Sequence, residues 1–253
     1  MGNVQSTYVN EWIRVKSKQV RWISGVRLPP TMRFELFATA GAVLSAAASV
    51  LPVSTSQGSR ALLLRPDAAE FSAPAPAVSI VRLDTSKGIV DIEVTRDWSP
   101  RGADRFVALA RHGYYDGARF FRLTKGRWTQ FGINGDPAIA KAWRNRTFPD
   151  DPFKQSNVRG TVAFAFAMPN GRTTQVFFNL MDNSPGHDKE PFTPFGRVVR
   201  GMEVVDAFNG EHGEGPGGIR AGKQDAFFEG GNTWLDRQFP RLDFIRRATV
   251  IPQ

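Results

Sequence analysis

The chain has 253 residues, 41% of them apolar, enough to bury a real core in one ordinary domain with added sequence or in two small domains. It contains no cysteine, which excludes disulfides, thiolate metal sites and a cysteine nucleophile. The net charge is +9, but residues 1–60 hold seven Lys/Arg against two acids; no Lys/Arg cluster interleaved with aromatics follows, so no nucleic-acid partner is expected.

Residues 1–31 are basic and show no clear hydrophobic period. In residues 32–53, MRFELFATAGAVLSAAASVLPV, Arg33 leads into eighteen residues without charge, 36–53. This is the form of a secretory signal, with small residues for cleavage around 46–48. Uncleaved, the segment would be an anchor with membrane contact, although it is short and weakly hydrophobic for a spanning helix. The plainer alternative is a buried Ala-rich helix. A start at Met32 rather than Met1 would account for a signal placed so far along the chain. MGNVQS at 1–6 fits a myristoylation pattern, which conflicts with an internal export signal. The expected location is periplasmic, secreted or membrane-anchored, and cytoplasmic if 32–53 is not a signal.

Residues 54–76 read as a flexible linker, made stiff and extended by APAPA. The folded domain is expected at 77–253. Residues 79–84 and 89–95 alternate as two strands around the turn TSKG. Ser99-Pro100 reads as N-cap and first helical residue, Ala103, Phe106, Val107 and Ala110 recur at helical spacing, and Gly113 ends the helix. FFRLTKGRWTQFGINGD at 120–136 reads as a hairpin turning at Lys125-Gly126, with Arg122 and Gln130 polar in segments that otherwise favour burial. Residues 136–159 look long and irregular. Strands are expected at 160–167, 174–181, 195–199 and 242–251. A short helix is expected at 201–208, a flexible Gly-rich stretch at 209–232 and a helical turn at 234–239. The absence of regular βαβ alternation favours a mainly β fold, a closed antiparallel barrel capped by helices.

These motifs together resemble the cyclophilin-type peptidyl-prolyl cis-trans isomerases. The resemblance runs from about residue 79 to 250 and rests on TSKGIVDIEV, GYYDGARFFR, GRWTQFGINGDP, GTVAFA, TTQVFFNL and FGRVVRGMEVVD, with a tail at 231–248 like that of a bacterial branch. It implies a closed eight-stranded barrel capped by two helices, with the site on the outer face. It also implies that Arg122 is the catalytic arginine and that Gln130 positions the substrate. Trp128 and Phe177 would hold the prolyl ring. Ala165 and Phe166 would pair with the substrate backbone, and Gln175 lies on the next strand. Arg127 stands where the family usually has a pocket phenylalanine, Phe166 replaces an asparagine, and Phe192 stands where some members have histidine. Pro185-Gly186-His187 departs from the usual apolar loop.

Amide rotation at X–Pro faces a barrier of about 18–20 kcal/mol. It breaks no bond, so no cofactor or metal is expected. His112, His187 and His212 are isolated along the chain, and the GxGxxG at 213–218 follows no strand, which argues against a nucleotide site. A guanidinium that donates to the pyramidal imide nitrogen binds the twisted state better than the planar one. Without the motifs, a structural salt bridge would be the ordinary role for Arg122. The expected partners are proline-containing polypeptides, unfolded or exported, acted on by a monomer. The alternative is a cyclophilin-fold peptide-binding or scaffold module with weak or no catalysis.

Overall fold

The computed structural model describes residues 54–216 and 224–252. The segments 1–31 and 32–53 lie outside them.

The chain runs through α1 (Ser54–Leu63), a short 3-10 turn (Ala69–Phe71), β1 (Val78–Thr85), β2 (Gly88–Thr95), α2 (Pro100–Arg111), β3 (Arg122–Thr124) and β4 (Trp128–Phe131). It continues through α3 (Pro137–Trp143), β5 (Thr161–Phe164), β6 (Val176–Asn179), α4 (Ser184–His187), β7 (Pro194–Arg200), α5 (Met202–Asp206), α6 (Asp225–Gln238) and β8 (Ile245–Ile251). The strands form one antiparallel sheet in the order β3-β4-β6-β5-β7-β2-β1-β8.

Alternation sets the first hairpin. Val81 and Leu83 of β1 and Val90, Ile92 and Val94 of β2 are fully buried. On the opposite face, Arg82 and Asp91 stand across from each other in register and form a two-point ion pair at 2.7 and 2.9 Å. Helix α2 lays Ala103, Phe106, Val107 and Ala110 into the core. There Phe106 meets Tyr115 and Phe195, and Phe131 stacks on Phe178. This phenylalanine-rich core fills the curl of the sheet and leaves the outer face of β3, β4 and β6 for a site.

Several expectations are corrected. The sheet is not a closed barrel, because β3 and β8 are its two ends and no ladder joins them. A single bridge, Arg119↔Phe244, spans the gap just ahead of both strands. Residues 54–76 are not an extended tether. They carry α1 and the short turn, and two of their large apolar residues dock: Leu63 is buried, and the Phe71 ring lies 4.8 Å from Trp143 and 5.2 Å from His112. Trp143 Nε1 donates to Leu63 O at 2.8 Å, and Ala75 N donates to Asp104 at 2.8 Å.

The helix at 100–111 begins where expected, but its cap is different. Ser99 makes no side-chain cap; its hydroxyl donates to Asp151 at 2.5 Å. Asp151 instead accepts from Arg101 N and Gly102 N at 3.2 and 3.0 Å, a carboxylate placed where the helix dipole favours negative charge. Inside the stretch read as irregular, Asp136 caps α3 by accepting from Ala138 N at 2.9 Å. In place of a single turn at 234–239, α6 begins at Asp225. It breaks at Gly231, whose φ of 56° and tight contact with Gly135 O admit no side chain.

Candidate active site

The β3–β4 register puts Arg122 opposite Gln130 and Thr124 opposite Trp128, with Gly126 at φ 71° closing the turn. The next register puts Gln130 opposite Phe177, and Phe177 lies opposite Ala163 on β5. Ladder geometry alone thus gathers a guanidinium, an amide and an aromatic ring from three strands onto one face. Arg122 Nη1 donates to Gln130 Oε1 at 3.2 Å. Gln130 Nε2 donates to Gln175 Oε1 at 2.7 Å, and Gln175 Nε2 donates to Gln224 Oε1 at 2.9 Å. This chain of amides fixes which way each Gln faces.

A cavity of about 220 Å3 opens beside it, lined by Arg122, Trp128, Gln130, Ala165, Phe166, Phe177, His187 and Phe192. Its walls are rings. Phe166 and Phe192 are 4.5 Å apart, Phe177 and Phe192 5.4 Å, His187 and Phe192 4.8 Å, and Trp128 and His187 5.5 Å. Asn157 holds the loop that carries His187 and Phe192, donating to Asp188 Oδ1 at 2.9 Å and to Phe192 O at 2.8 Å. Ala165 N donates to Gln175 O at 2.9 Å, so pairing runs on one residue past β5.

Of the nine residues singled out in the sequence, seven line this cavity. Gln175 belongs to an adjoining cavity of about 230 Å3, which shares Arg122, Gln130, Ala165 and Phe166 and extends to Arg144 and Gln224. Arg127 does not line the aromatic cavity. Its guanidinium lies over the Trp128 ring at 4.8 Å and faces a separate outer groove with Lys125 and Glu214.

Glu214 and Gln224 were not singled out, and His187 was noted as part of an altered loop, not as a site residue. The carboxylate of Glu214 meets Arg122 Nη2 at 2.8 Å. The His187 imidazole is held below its usual range by burial, with the Arg127 guanidinium adding to the effect and Asp188 opposing it. His187 Nδ1 and Trp128 Nε1 are buried and meet no hydrogen-bond partner among the described residues. Spacing along the chain shows none of this, because these residues come from a loop (Glu214), the end of α4 (His187) and the start of α6 (Gln224), all distant from β3 in sequence.

Residues 80–220 match the model of the family described as cyclophilin type peptidyl-prolyl cis-trans isomerase/CLD. The chain belongs to this family. This cyclophilin is 35% identical over 134 residues to a peptidyl-prolyl cis-trans isomerase of Arabidopsis thaliana, covering 50% of this chain and 79% of that one. It is 34% identical over 132 residues to the human peptidyl-prolyl cis-trans isomerase-like 3, covering 50% and 79%. Against a peptidyl-prolyl cis-trans isomerase of Acinetobacter baylyi it is 30% identical over 140 residues, covering 54% and 74%. The fold is similar to that of a Cryptosporidium parvum cyclophilin type isomerase, with a TM-score of 0.50 at 18% identity, covering 70% of this chain and 99% of that one. The cyclophilin is a peptidyl-prolyl cis-trans isomerase, an enzyme that accelerates rotation about X–Pro bonds.

Proposed function

We propose that this enzyme turns X–Pro bonds through Arg122, with the aromatic cavity holding the prolyl ring. The observation that carries the assignment is the contact of Arg122 with Gln130 at the rim of that cavity. A planar amide delocalises its nitrogen lone pair. As the bond twists, the nitrogen becomes pyramidal and regains it. A guanidinium fixed at the rim donates to that nitrogen only in the twisted state, which is the condition for lowering a barrier. Gln130 and the backbone at Ala165–Phe166 hold the carbonyl and the flanking chain while the ring stays seated between Phe177, Trp128 and Phe192.

Arg122→Ala is expected to lower kcat/KM for a proline-containing peptide by on the order of 10²- to 10³-fold. An exchange assay measures this, with circular dichroism to verify the fold. Equal rates in the two proteins would remove Arg122 from the role. Peptide binding without turnover in the wild type would favour the scaffold alternative.

The clients in this reading are unfolded or exported polypeptides met outside the cytoplasm by a monomer. The support is the signal-like segment 32–53. N-terminal sequencing of the mature protein is expected to begin just past 46–48; an intact start at Met1 would sink the cleaved-signal form of the proposal.

A further inference from the structure

We infer that Glu214 is a positioning residue for the isomerase, holding the Arg122 guanidinium in its reactive plane. This rests on the proposed role of Arg122. One carboxylate oxygen, Glu214 Oε1, accepts from Arg122 Nε at 3.0 Å, from Arg122 Nη2 at 2.8 Å and from Thr124 Oγ1 at 3.0 Å. Gln130 takes Nη1 from the opposite side. The guanidinium is planar, so clamps on two of its edges fix its orientation as well as its location. An arginine on a three-residue edge strand would otherwise have several rotors to spend among orientations.

Glu214 is itself held. The 209–216 loop lies along the outer edge of β3, with Leu123 N donating to Gly213 O at 2.9 Å. Inside the loop Gly213 N donates to Gly210 O at 3.0 Å, Gly215 N to His212 O at 3.0 Å, and Glu211 N to Asn209 Oδ1 at 2.8 Å. The carboxylate therefore sits on a docked platform rather than on a free tail.

A carboxylate beside a guanidinium has two opposed effects. It orients the donor, and it offsets some of the positive charge that the twisting nitrogen feels. The geometry favours orientation: both bonds are charge-assisted and fall on the edge of the group away from Gln130, and Thr124 adds a third restraint on the carboxylate. Small misplacements of a catalytic group cost heavily in rate.

The test is kcat and KM from exchange rates at several peptide concentrations. Glu214→Ala is expected to lower kcat by about 10- to 100-fold, with KM nearly unchanged. Glu214→Gln keeps an acceptor oxygen and is expected to recover most of that loss. In an Arg122→Ala background, Glu214→Ala is expected to add nothing. An unchanged or raised kcat in Glu214→Ala, or the same loss with and without Arg122, overturns the inference. If Arg122→Ala loses activity while Glu214→Ala does not, the inference fails alone. If Arg122→Ala stays fully active, the underlying assignment fails with it.

Discussion

His187 is where the chemistry of this pocket departs from a plain apolar one. The Trp128, Phe177 and Phe192 rings pack around it, and the charges of Arg127 and Asp188 act on it. Burial and Arg127 outweigh Asp188, so the folded imidazole gains its proton below its ordinary value of 6.5. The sign follows from linkage. As pH falls through about 6.5 the unfolded chain takes up a proton that the folded chain refuses, so stability is lost from there down to the lowered folded value and is level below it. Protonation also puts a cation on the wall of the aromatic cavity, where a bound prolyl ring would meet it. KM for a proline peptide is therefore expected to rise only as pH falls below 6.5, and His187→Leu to flatten that rise. Arg127→Ala removes the repelling charge and should move the profile to higher pH. Identical KM profiles in wild type and His187→Leu would exclude His187 from the pocket's pH response.

At the scale of elements, Phe71 shows what composition conceals. Residues 54–76 are rich in Ser, Ala and Pro, yet Phe71 closes against Trp143 and His112, and Trp143 donates to the end of α1. Phe71→Ala is expected to cost about 3 kcal/mol, read as a lower denaturant midpoint at unchanged slope; no shift would restore the tether. The β1–β2 hairpin and α2 were legible because their signals are local: period-two burial at Val90, Ile92 and Val94, and helical spacing from Ala103 to Ala110. The cap of α2 was not. The local rule points to Ser99, but Asp151, some fifty residues on, supplies the acceptor. Buried Arg172, 3.2 Å from Asp150 and 3.8 Å from Asp151, helps hold that acidic pair in place. Likewise α6 was hidden by its own glycines, of which Gly231 is required by contact with Gly135 and not by flexibility. In the site, Arg122, Gln130 and Phe177 could be read because strand motifs carry them. His187 and Glu214 could not, because loop docking brings them in.

At the scale of the whole molecule, the open edge of the sheet at β3 is taken up by the loop that carries Glu214. A closing strand would take the outward backbone donors of β3. The donor of Leu123 is already taken by Gly213, from the loop that carries Glu214. The gap ahead of β3 is spanned instead by Gly117 N to Ile245 O at 2.8 Å, Phe120 N to Asp243 O at 2.9 Å and Ile245 N to Ala118 O at 2.9 Å. Asp243 is the joint of this seam. Its backbone carbonyl receives Phe120. Its buried carboxylate accepts from Ser86 Oγ in the β1–β2 turn and from Asn209 N at the base of the 209–216 loop, each at 2.6 Å. Asp243→Ala leaves Asn209 N without its acceptor and should destabilise the fold by about 1–3 kcal/mol. Because Asn209 begins the platform of Glu214, kcat should fall in the same direction as in Glu214→Ala, while KM holds. Chemical denaturation and exchange kinetics on one preparation separate the two effects. A loss of stability with kcat intact would mean that the platform keeps its place without the seam, and that the two ends of the sheet are joined independently of the site.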